Sequence, residues 1–381
     1  MNPALPNKDK LDNARKNGVK VLVVAGASGG HIFPALSFLD TLKDKHKEVD
    51  TLLVVPKRTK ISPIALDSYK VKYLSFYAIG FSFNFRNLIA ILKFFKGSLE
   101  SAFIILGFRP DIAVGFGTID CVPLLLLAWI FRVKTLVHEQ NVLPGRANRL
   151  LARFTDRIAI SFEQTQEYLK DYRKKIVLTG NPIRQKLKRI DKFKALSFFE
   201  FNEDKLTILV MGGSLGSQRI NAGFLKAISK LCDTVKLQVI HITGIKDYEL
   251  IKDRYKNLNV NSRLFGFLNA MQYAYSACDL VVSRAGATSI TEIMFFGLPA
   301  ILIPYPYAYR HQLNNAKMLE RKGCAVIIKD EELDKDILRD RIKLLMDNPE
   351  KLKDMQFGYT PLPMQNASEL LVNEVISLNY N

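Results

Sequence analysis

The run Val19–Ala25 (VKVLVVA), opening directly into Gly26–His31 (GASGGH), sets the reading of this 381-residue chain. A strand that is apolar almost without interruption belongs in a parallel sheet covered on both faces, because neither side of it meets water. The glycines that follow permit a tight turn, and a helix begins behind them. Pro34 is expected in that helix's first turn, where backbone donors lack partners. The same pattern returns at Leu206–Met211 (LTILVM), followed by Gly212–Ser217 (GGSLGS).

Further strands are expected at Thr51–Val55, Asp111–Gly115, Lys134–His138 and Ile158–Ser161. In the second half they are expected at Lys236–Thr243, Leu280–Ser283 and Ala300–Ile303. Helical patterns fall at Gln218–Leu231, Thr288–Phe296 and Gln312–Lys322. Strands alternating with helices give a mostly parallel α/β sheet, and the pattern restarts once. The expectation is therefore an α/β chain of two Rossmann-like domains facing each other across a cleft. Glycine and proline at Gly180–Pro182 make the bend between them cheap. The division reads as a tail over 1–18, an N-terminal domain over 19–182, a C-terminal domain over 183–355 and a closing segment over 356–381. The helical pattern Met364–Leu378 in that segment either finishes the second domain or crosses back to the first.

Composition narrows the function. With 48% apolar residues the chain can bury a real core. Fifty-five Lys and Arg against 37 Asp and Glu, a formal charge of +18, favour phosphate-rich partners such as nucleotides or an anionic membrane. Nucleic acid would also fit the charge, but no zinc, RNP or helix-turn-helix signature accompanies it. Cys121, Cys232, Cys278 and Cys324 are far apart and form no CxxC pair, which argues against a disulfide framework. Residues 1–18 lack the apolar core of a secretory signal. The uncharged run Cys121–Phe131 is too short to span a bilayer.

The glycine turns carry the chemistry. Gly26, Ser28, Gly29, Gly30 and His31 lie between strand and helix, where unpaired N–H groups and the helix dipole suit an anion. The segment has no P-loop lysine and does not match G-x-G-x-x-G, so an NAD enzyme is disfavoured. His31 sits where such turns face the ligand crevice of an α/β sheet, and reads either as a proton acceptor or as a packing residue. Gly212, Gly213, Ser214, Gly216 and Ser217 repeat the turn. In a third turn Glu292 is either the capping-box partner of Ser289 or a ligand contact.

Val71–Arg109 is apolar and aromatic, with FYAIGFSFNF, NLIAIL, KFF and AFIILGF among Lys72, Arg86, Lys93, Lys96 and Arg109. Such a stretch suits either the helices of a core or shallow insertion beside anionic lipid.

Six strings, in order, resemble the MurG family of bacterial peptidoglycan glycosyltransferases. They are GASGGHIFPAL (Gly26–Leu36), HEQNVLPGRANR (His138–Arg149), GNPIR (Gly180–Arg184), MGGSLGSQRIN (Met211–Asn221), SRAGATSITEIMFFGLPAILIP (Ser283–Pro304) and RHQLNNA (Arg310–Ala316). The resemblance runs from about Val19 to Leu378. It implies the glycosyltransferase B fold, with the last helix returning to the first domain. It also implies inverting transfer of N-acetylglucosamine from UDP-N-acetylglucosamine to lipid I, the undecaprenyl-pyrophosphoryl-N-acetylmuramoyl-pentapeptide, giving a beta-1,4 link. Gly213 and Ser214 would then meet the donor diphosphate, Arg184 the nucleotide, Leu268 the uracil, Glu292 the ribose and Gln312 the sugar, beside His311. Ser28, His31 and Asn141 would complete the cleft from the N-terminal side, with Ser28, Gly29, Gly30 and Asn141 counted among the donor contacts. The sequence departs from the family pattern at Ala27, Leu215, His311 and the segment Gly115–Pro123, all of which bear on fine substrate contacts.

An inverting displacement needs no covalent nucleophile. Backbone N–H groups of the Gly212–Gly216 turn can stabilise the leaving diphosphate, so neither a cofactor nor an obligatory metal is expected. Asp334 and Asp336 read as a charged surface rather than a metal pair. For the acceptor proton His31 is the first candidate and Glu139 the second. Closure about a hinge near Asn181–Arg184 would exclude water. The partners implied are lipid I, anionic phospholipid and other cell-wall synthesis proteins, with no nucleic acid. The location implied is peripheral, on the cytoplasmic face of the cell membrane.

Overall fold

The computed structural model describes residues 18–59, 66–75, 86–214, 216–231, 236–308, 310–359 and 366–380, with backbone alone over 86–93. The expected tail up to residue 17, the aromatic run at 76–85, Leu215, Cys232 and the turn residues 360–363 lie outside the described residues. So do the side chains of NLIAIL, residues 87–92.

Contacts divide the chain into two units, Met1–Arg184 with Pro363–Asn381, and Gln185–Leu362. The N-terminal unit carries seven strands: β1 (Lys20–Ala25), β2 (Asp50–Pro56), β3 (Val71–Leu74), β4 (Ile112–Phe116), β5 (Lys134–Glu139), β6 (Arg157–Ile160) and β7 (Ile176–Leu178). They form one sheet in the order β3-β2-β1-β4-β5-β6-β7, parallel throughout. The C-terminal unit carries β8 (Leu206–Met211), β9 (Leu237–Ile242), β10 (Asn261–Phe265), β11 (Leu280–Ser283), β12 (Ala300–Leu302) and β13 (Ala325–Ile327). Their order is β10-β9-β8-β11-β12-β13, again parallel.

Strand β1 shows why the apolar run folds this way. Alternate side chains point to opposite faces. Val21, Val23 and Ala25 enter a core shared with the helix Gly29–Lys45, while Leu22 and Val24 enter one shared with the helix Val122–Ile130. Both faces are sealed, so the strand has no polar side. The final helix, Ala367–Leu378, resolves the alternative left open by the sequence. Its Leu371, Val372, Val375 and Leu378 are buried in the first of those cores, so it belongs to the N-terminal unit.

Pro34 is a correction. It is the sixth residue of the helix Gly29–Lys45, beyond the first turn, so one internal backbone bond is missing there. Among the described residues Cys121, Cys278 and Cys324 are buried and free.

Candidate active site

Each sheet reverses its strand order once. In the N-terminal unit the chain winds β1-β2-β3 outward, then returns to the other side of β1 as β4. In the C-terminal unit the same reversal falls between β8 and β11. The loops that leave the carboxyl ends of those two strands diverge, one to each face, and open the crevice where ligands of such sheets bind. Both glycine turns singled out in the sequence leave from these positions.

In the N-terminal unit Ser28 caps the helix from extended backbone, and its carbonyl accepts from the amides of His31 and Ile32 at 3.0 and 3.1 Å. The Ser28 side chain makes no capping bond and is exposed. Gly29 and Gly30 form the first helical positions, half-buried. A side chain at Gly26 would collide with Thr118, which follows β4, at 2.3 Å. Gly117 beside it has φ +66°, and a Cβ there would lie 2.8 Å from His31 Nδ1. The two loops therefore meet with His31 between them, its Nδ1 2.9 Å from Gln140 Oε1. The divergent segment contributes a pair of its own: Asp120, buried, accepts from Arg58 Nη2 at 2.6 Å.

Strand β5 ends in His138 and Glu139, both buried. Glu139 is saturated. Its Oε1 accepts from the Asn141 amide at 2.8 Å and from Asn141 Nδ2 at 3.2 Å. Its Oε2 accepts from the Gly145 amide at 2.9 Å and from Asn148 Nδ2 at 2.8 Å. A carboxylate engaged this way shapes the 140–148 loop. Glu139, the second candidate base, thus also braces the loop that sets Asn141 in place. Arg184 ends the N-terminal unit, with its guanidinium 5.4 Å from the Phe33 ring on the His31 helix.

In the C-terminal unit the turn after β8 needs its glycines. Gly213 has φ +90° and Gly216 φ +76°, and a Cβ on Gly216 would strike the Thr243 carbonyl at 2.3 Å. The Gly216 amide bonds the Gly213 carbonyl at 3.0 Å, closing the loop around exposed Ser214. Ser217 caps the helix Gln218–Ile228 and also accepts from Arg284 Nη2 at 2.8 Å, tying the turn after β8 to the one after β11. An anion at this turn would face backbone N–H groups, a helix start and a guanidinium anchored nearby.

Glu292 lies on the helix Ala287–Phe296, whose cap is Gly286. Ser289 is inside the helix, so the capping-box alternative fails. Glu292 is instead buried, with its Oε2 accepting from the Tyr275 hydroxyl at 2.7 Å. Nothing local to Tyr275 in the sequence marks it as the partner of Glu292, 17 residues away. Gln312 accepts through Oε1 from the Tyr305 amide at 2.9 Å and the Ala285 amide at 3.3 Å, so its carboxamide oxygen is engaged within the fold. His311 opens the helix His311–Arg321, and Leu268 is buried after β10. Asp334 and Asp336 pair with Arg219, Lys230 and Arg339, and no cluster of metal-ligating residues occurs among the described residues.

Comparison with known proteins agrees with the architecture. The model of the glycosyltransferase family 28 N-terminal domain matches residues 21–160, and that of the family 28 C-terminal domain matches 207–370. A protein of Thermodesulfovibrio yellowstonii is 36% identical, over 94% of this chain and 99% of its own. One of Desulforamulus reducens is 35% identical over 88% and 92%. Both are named UDP-N-acetylglucosamine--N-acetylmuramyl-(pentapeptide) pyrophosphoryl-undecaprenol N-acetylglucosamine transferase. Among solved structures, MurG of Acinetobacter baumannii superposes with a TM-score of 0.74 at 23% identity, over 94% of this chain and 99% of its own. A UDP-GlcNAc 2-epimerase of Neisseria meningitidis reaches 0.67 at 15% over 94% and 100%, so the fold alone does not select the reaction.

Proposed function

Given that this chain belongs to the family of N-acetylglucosamine transferases acting on N-acetylmuramyl-(pentapeptide) pyrophosphoryl-undecaprenol, we propose that it performs that transfer, from UDP-N-acetylglucosamine to lipid I. The observation that carries the reading is the placement of both family turns, Ser28–His31 and Gly213–Ser217, at the switch points of their own sheets.

The chemistry follows from the residues. The acceptor's C4 hydroxyl oxygen attacks the anomeric carbon as the bond from that carbon to the UDP oxygen breaks, inverting the centre. His31 takes the hydroxyl proton. Negative charge growing on the UDP diphosphate meets the amides around Gly213 and Ser214 and the start of the following helix. Glu292, oriented by Tyr275, accepts from the ribose hydroxyls, Leu268 borders the uracil, and Arg184 lies by the nucleotide. Gln312 offers its NH2 to the sugar, with His311 adjacent. In the N-terminal unit, Ser28, Gly29, Gly30 and Asn141 are the donor-contact residues of this reading. Dipoles and hydrogen bonds suffice for the leaving group, so a metal is not obligatory.

For location, we propose peripheral attachment to the cytoplasmic face of the membrane through the N-terminal unit. On the helix Arg86–Phe108, Phe95, Leu99, Phe103 and Leu106 form one stripe, and Phe95 and Phe103 are 65% and 75% exposed. Trp129, Ile130, Phe131 and Leu150 are exposed too, as are Lys96, Arg109, Arg132, Arg149 and Arg153. A core helix does not leave such a stripe in water. No helix among the described residues is long and apolar enough to cross a bilayer. Apolar side chains beside cations suit shallow insertion next to anionic lipid.

The test is incubation with labelled UDP-N-acetylglucosamine and a lipid I analogue, with and without EDTA. A disaccharide lipid in both conditions is expected, and no transfer in either overturns the proposal. Flotation with vesicles should require anionic lipid and weaken with salt; indifference to anionic lipid removes the membrane reading.

A further inference from the structure

A chain of four groups runs through the interior of the N-terminal unit: the Gly180 carbonyl, His138, Gln140 and His31. His138 Nε2 lies 3.0 Å from the Gly180 oxygen. Gln140 Nε2 lies 3.0 Å from His138 Nδ1 and 3.1 Å from the His138 carbonyl oxygen. Gln140 Oε1 lies 2.9 Å from His31 Nδ1. His138 and Gln140 are buried, and the His138 ring sits 5.2 Å from that of Phe116.

Two backbone carbonyls at fixed places determine every proton along this chain. A carbonyl oxygen only accepts. The Gly180 oxygen therefore requires the proton of His138 on Nε2, leaving Nδ1 as an acceptor. The His138 oxygen requires the amide nitrogen of Gln140 on its side, and that nitrogen's second proton reaches His138 Nδ1. The carboxamide oxygen must then face His31, so His31 Nδ1 is the donor and Nε2 carries the lone pair. In water a histidine ring favours the opposite form, with the proton on Nε2.

Resting on the transferase reading above, we propose that Gln140 and His138 are positioning residues that hold His31 in its Nδ1–H tautomer, presenting Nε2 as the base for the acceptor hydroxyl. Two further observations agree. Burial pushes His138 down to about 4, so its ring stays neutral and keeps the Nδ1 lone pair that the chain requires. Gly117, with φ +66°, leaves just the space that the His31–Gln140 bond occupies, since a Cβ there would lie 2.8 Å from Nδ1 and 3.1 Å from Oε1. During transfer Nε2 takes the proton, and the imidazolium shares its other proton with the Gln140 oxygen. The net change is one proton moved from the acceptor oxygen to Nε2.

The chain has five histidines, so ring tautomers are readable by long-range proton–nitrogen NMR on histidine-labelled full-length protein. Wild type should show His31 protonated on Nδ1 and His138 on Nε2. Gln140→Leu should shift His31 toward the Nε2–H form and lower turnover on the order of 10²-fold, the scale of general-base catalysis, with the KM for UDP-N-acetylglucosamine held. Gln140→Glu keeps an acceptor toward Nδ1 and should retain the His31 proton there, while its second oxygen faces the His138 oxygen and Nδ1 where the NH2 donated, so the His138 ring should move toward its Nδ1–H form. Thermal melts of both variants, read beside the spectra, separate a tautomer effect from a folding defect at this buried position. An Nε2–H ring at His31 in wild type overturns the proposal, as does an Nδ1–H ring that survives Gln140→Leu. A lost tautomer with full turnover overturns the positioning role while leaving the transferase reading intact. That reading fails separately, if wild type transfers nothing.

Discussion

Replacing Glu139 by Gln tests whether this carboxylate braces a loop or does chemistry. The wild-type side chain is 2% exposed and accepts four hydrogen bonds, two on each oxygen. The variant has one oxygen and one NH2, so one pair of donors meets another donor. The less costly orientation turns the NH2 toward Asn148, whose Oδ1 has no hydrogen-bond partner among the described residues. Asn148 can then flip to accept, giving up its 3.2 Å bond to the His138 carbonyl. The Gly145 amide has no such option, because a backbone N–H cannot turn around. Loss of its charge-assisted bond and the donor–donor contact that replaces it cost about 3 kcal/mol locally. At about 1.4 kcal/mol per tenfold, that is roughly 100-fold faster hydrogen exchange at Gly145. Asn141, still facing the retained oxygen, should change far less. Amide exchange followed by mass spectrometry or NMR reads both sites, with transfer assayed in parallel. Unchanged protection at Gly145 with turnover abolished would refute the brace and favour Glu139 as the base.

Three other perturbations have worked-out outcomes. Gly216→Ala sets a Cβ 2.3 Å from the Thr243 carbonyl at φ +76°, so the C-terminal unit should lose about 1–3 kcal/mol in denaturant melts, with weaker donor binding; an unchanged midpoint counts against the strained turn. Tyr275→Phe removes the 2.7 Å bond that orients Glu292, and UDP affinity by calorimetry should fall on the order of fivefold for about 1 kcal/mol, with no fall meaning that Glu292 needs no orienting. Burial lowers His241 to about 3, so above pH ~6.5 it costs nothing, whereas below that the unfolded chain binds a proton that the folded unit refuses. Stability of the C-terminal unit should therefore drop with acidification by up to about 1.4 kcal/mol per pH unit between pH ~6.5 and ~3, and His241→Leu should flatten that slope; an identical slope in both proteins would clear His241.

The strands legible in the sequence and those missed divide by position in the sheet. Central strands such as β1, β4, β8 and β11 are buried on both faces, and their apolar runs announce them. The four missed strands, β3, β7, β10 and β13, are the four sheet edges. Each is short or half-exposed, as in VKYL and NSRLF, because an edge has a neighbour on one side only and its residues answer partly to solvent. Pro34 was misplaced for a related reason. Proline reads as a helix start, while the burial that holds it in the second turn comes from a sheet that local sequence does not display.

The candidate site divides along a similar line. Glycine turns were visible because a positive φ or a close approach demands glycine at a fixed residue, as Gly213 and Gly216 do, whereas the need for Gly117 shows only in the packing against His31. Glu292 was visible as a carboxylate, but its partner Tyr275 is 17 residues away and the pair exists only once two helices pack. His31 and Gln140 are 109 residues apart, and nothing local to either names the other. What joins them is topology. The reversal between β1 and β4 brings the helix start carrying His31 next to Gly117, and β5, paired to β4, delivers His138 and Gln140 to the same edge. If that placement rather than residue identity makes the base, then moving the backbone should matter as much as removing the ring. Gly117→Ala keeps every polar group and adds one methyl at φ +66°, against His31 Nδ1. It should break the His31–Gln140 bond, cost about 1–3 kcal/mol in strain, and lower turnover toward the level of His31→Ala. Wild-type turnover in Gly117→Ala would mean that the contact between the loops after β1 and β4 does not hold His31 for the reaction.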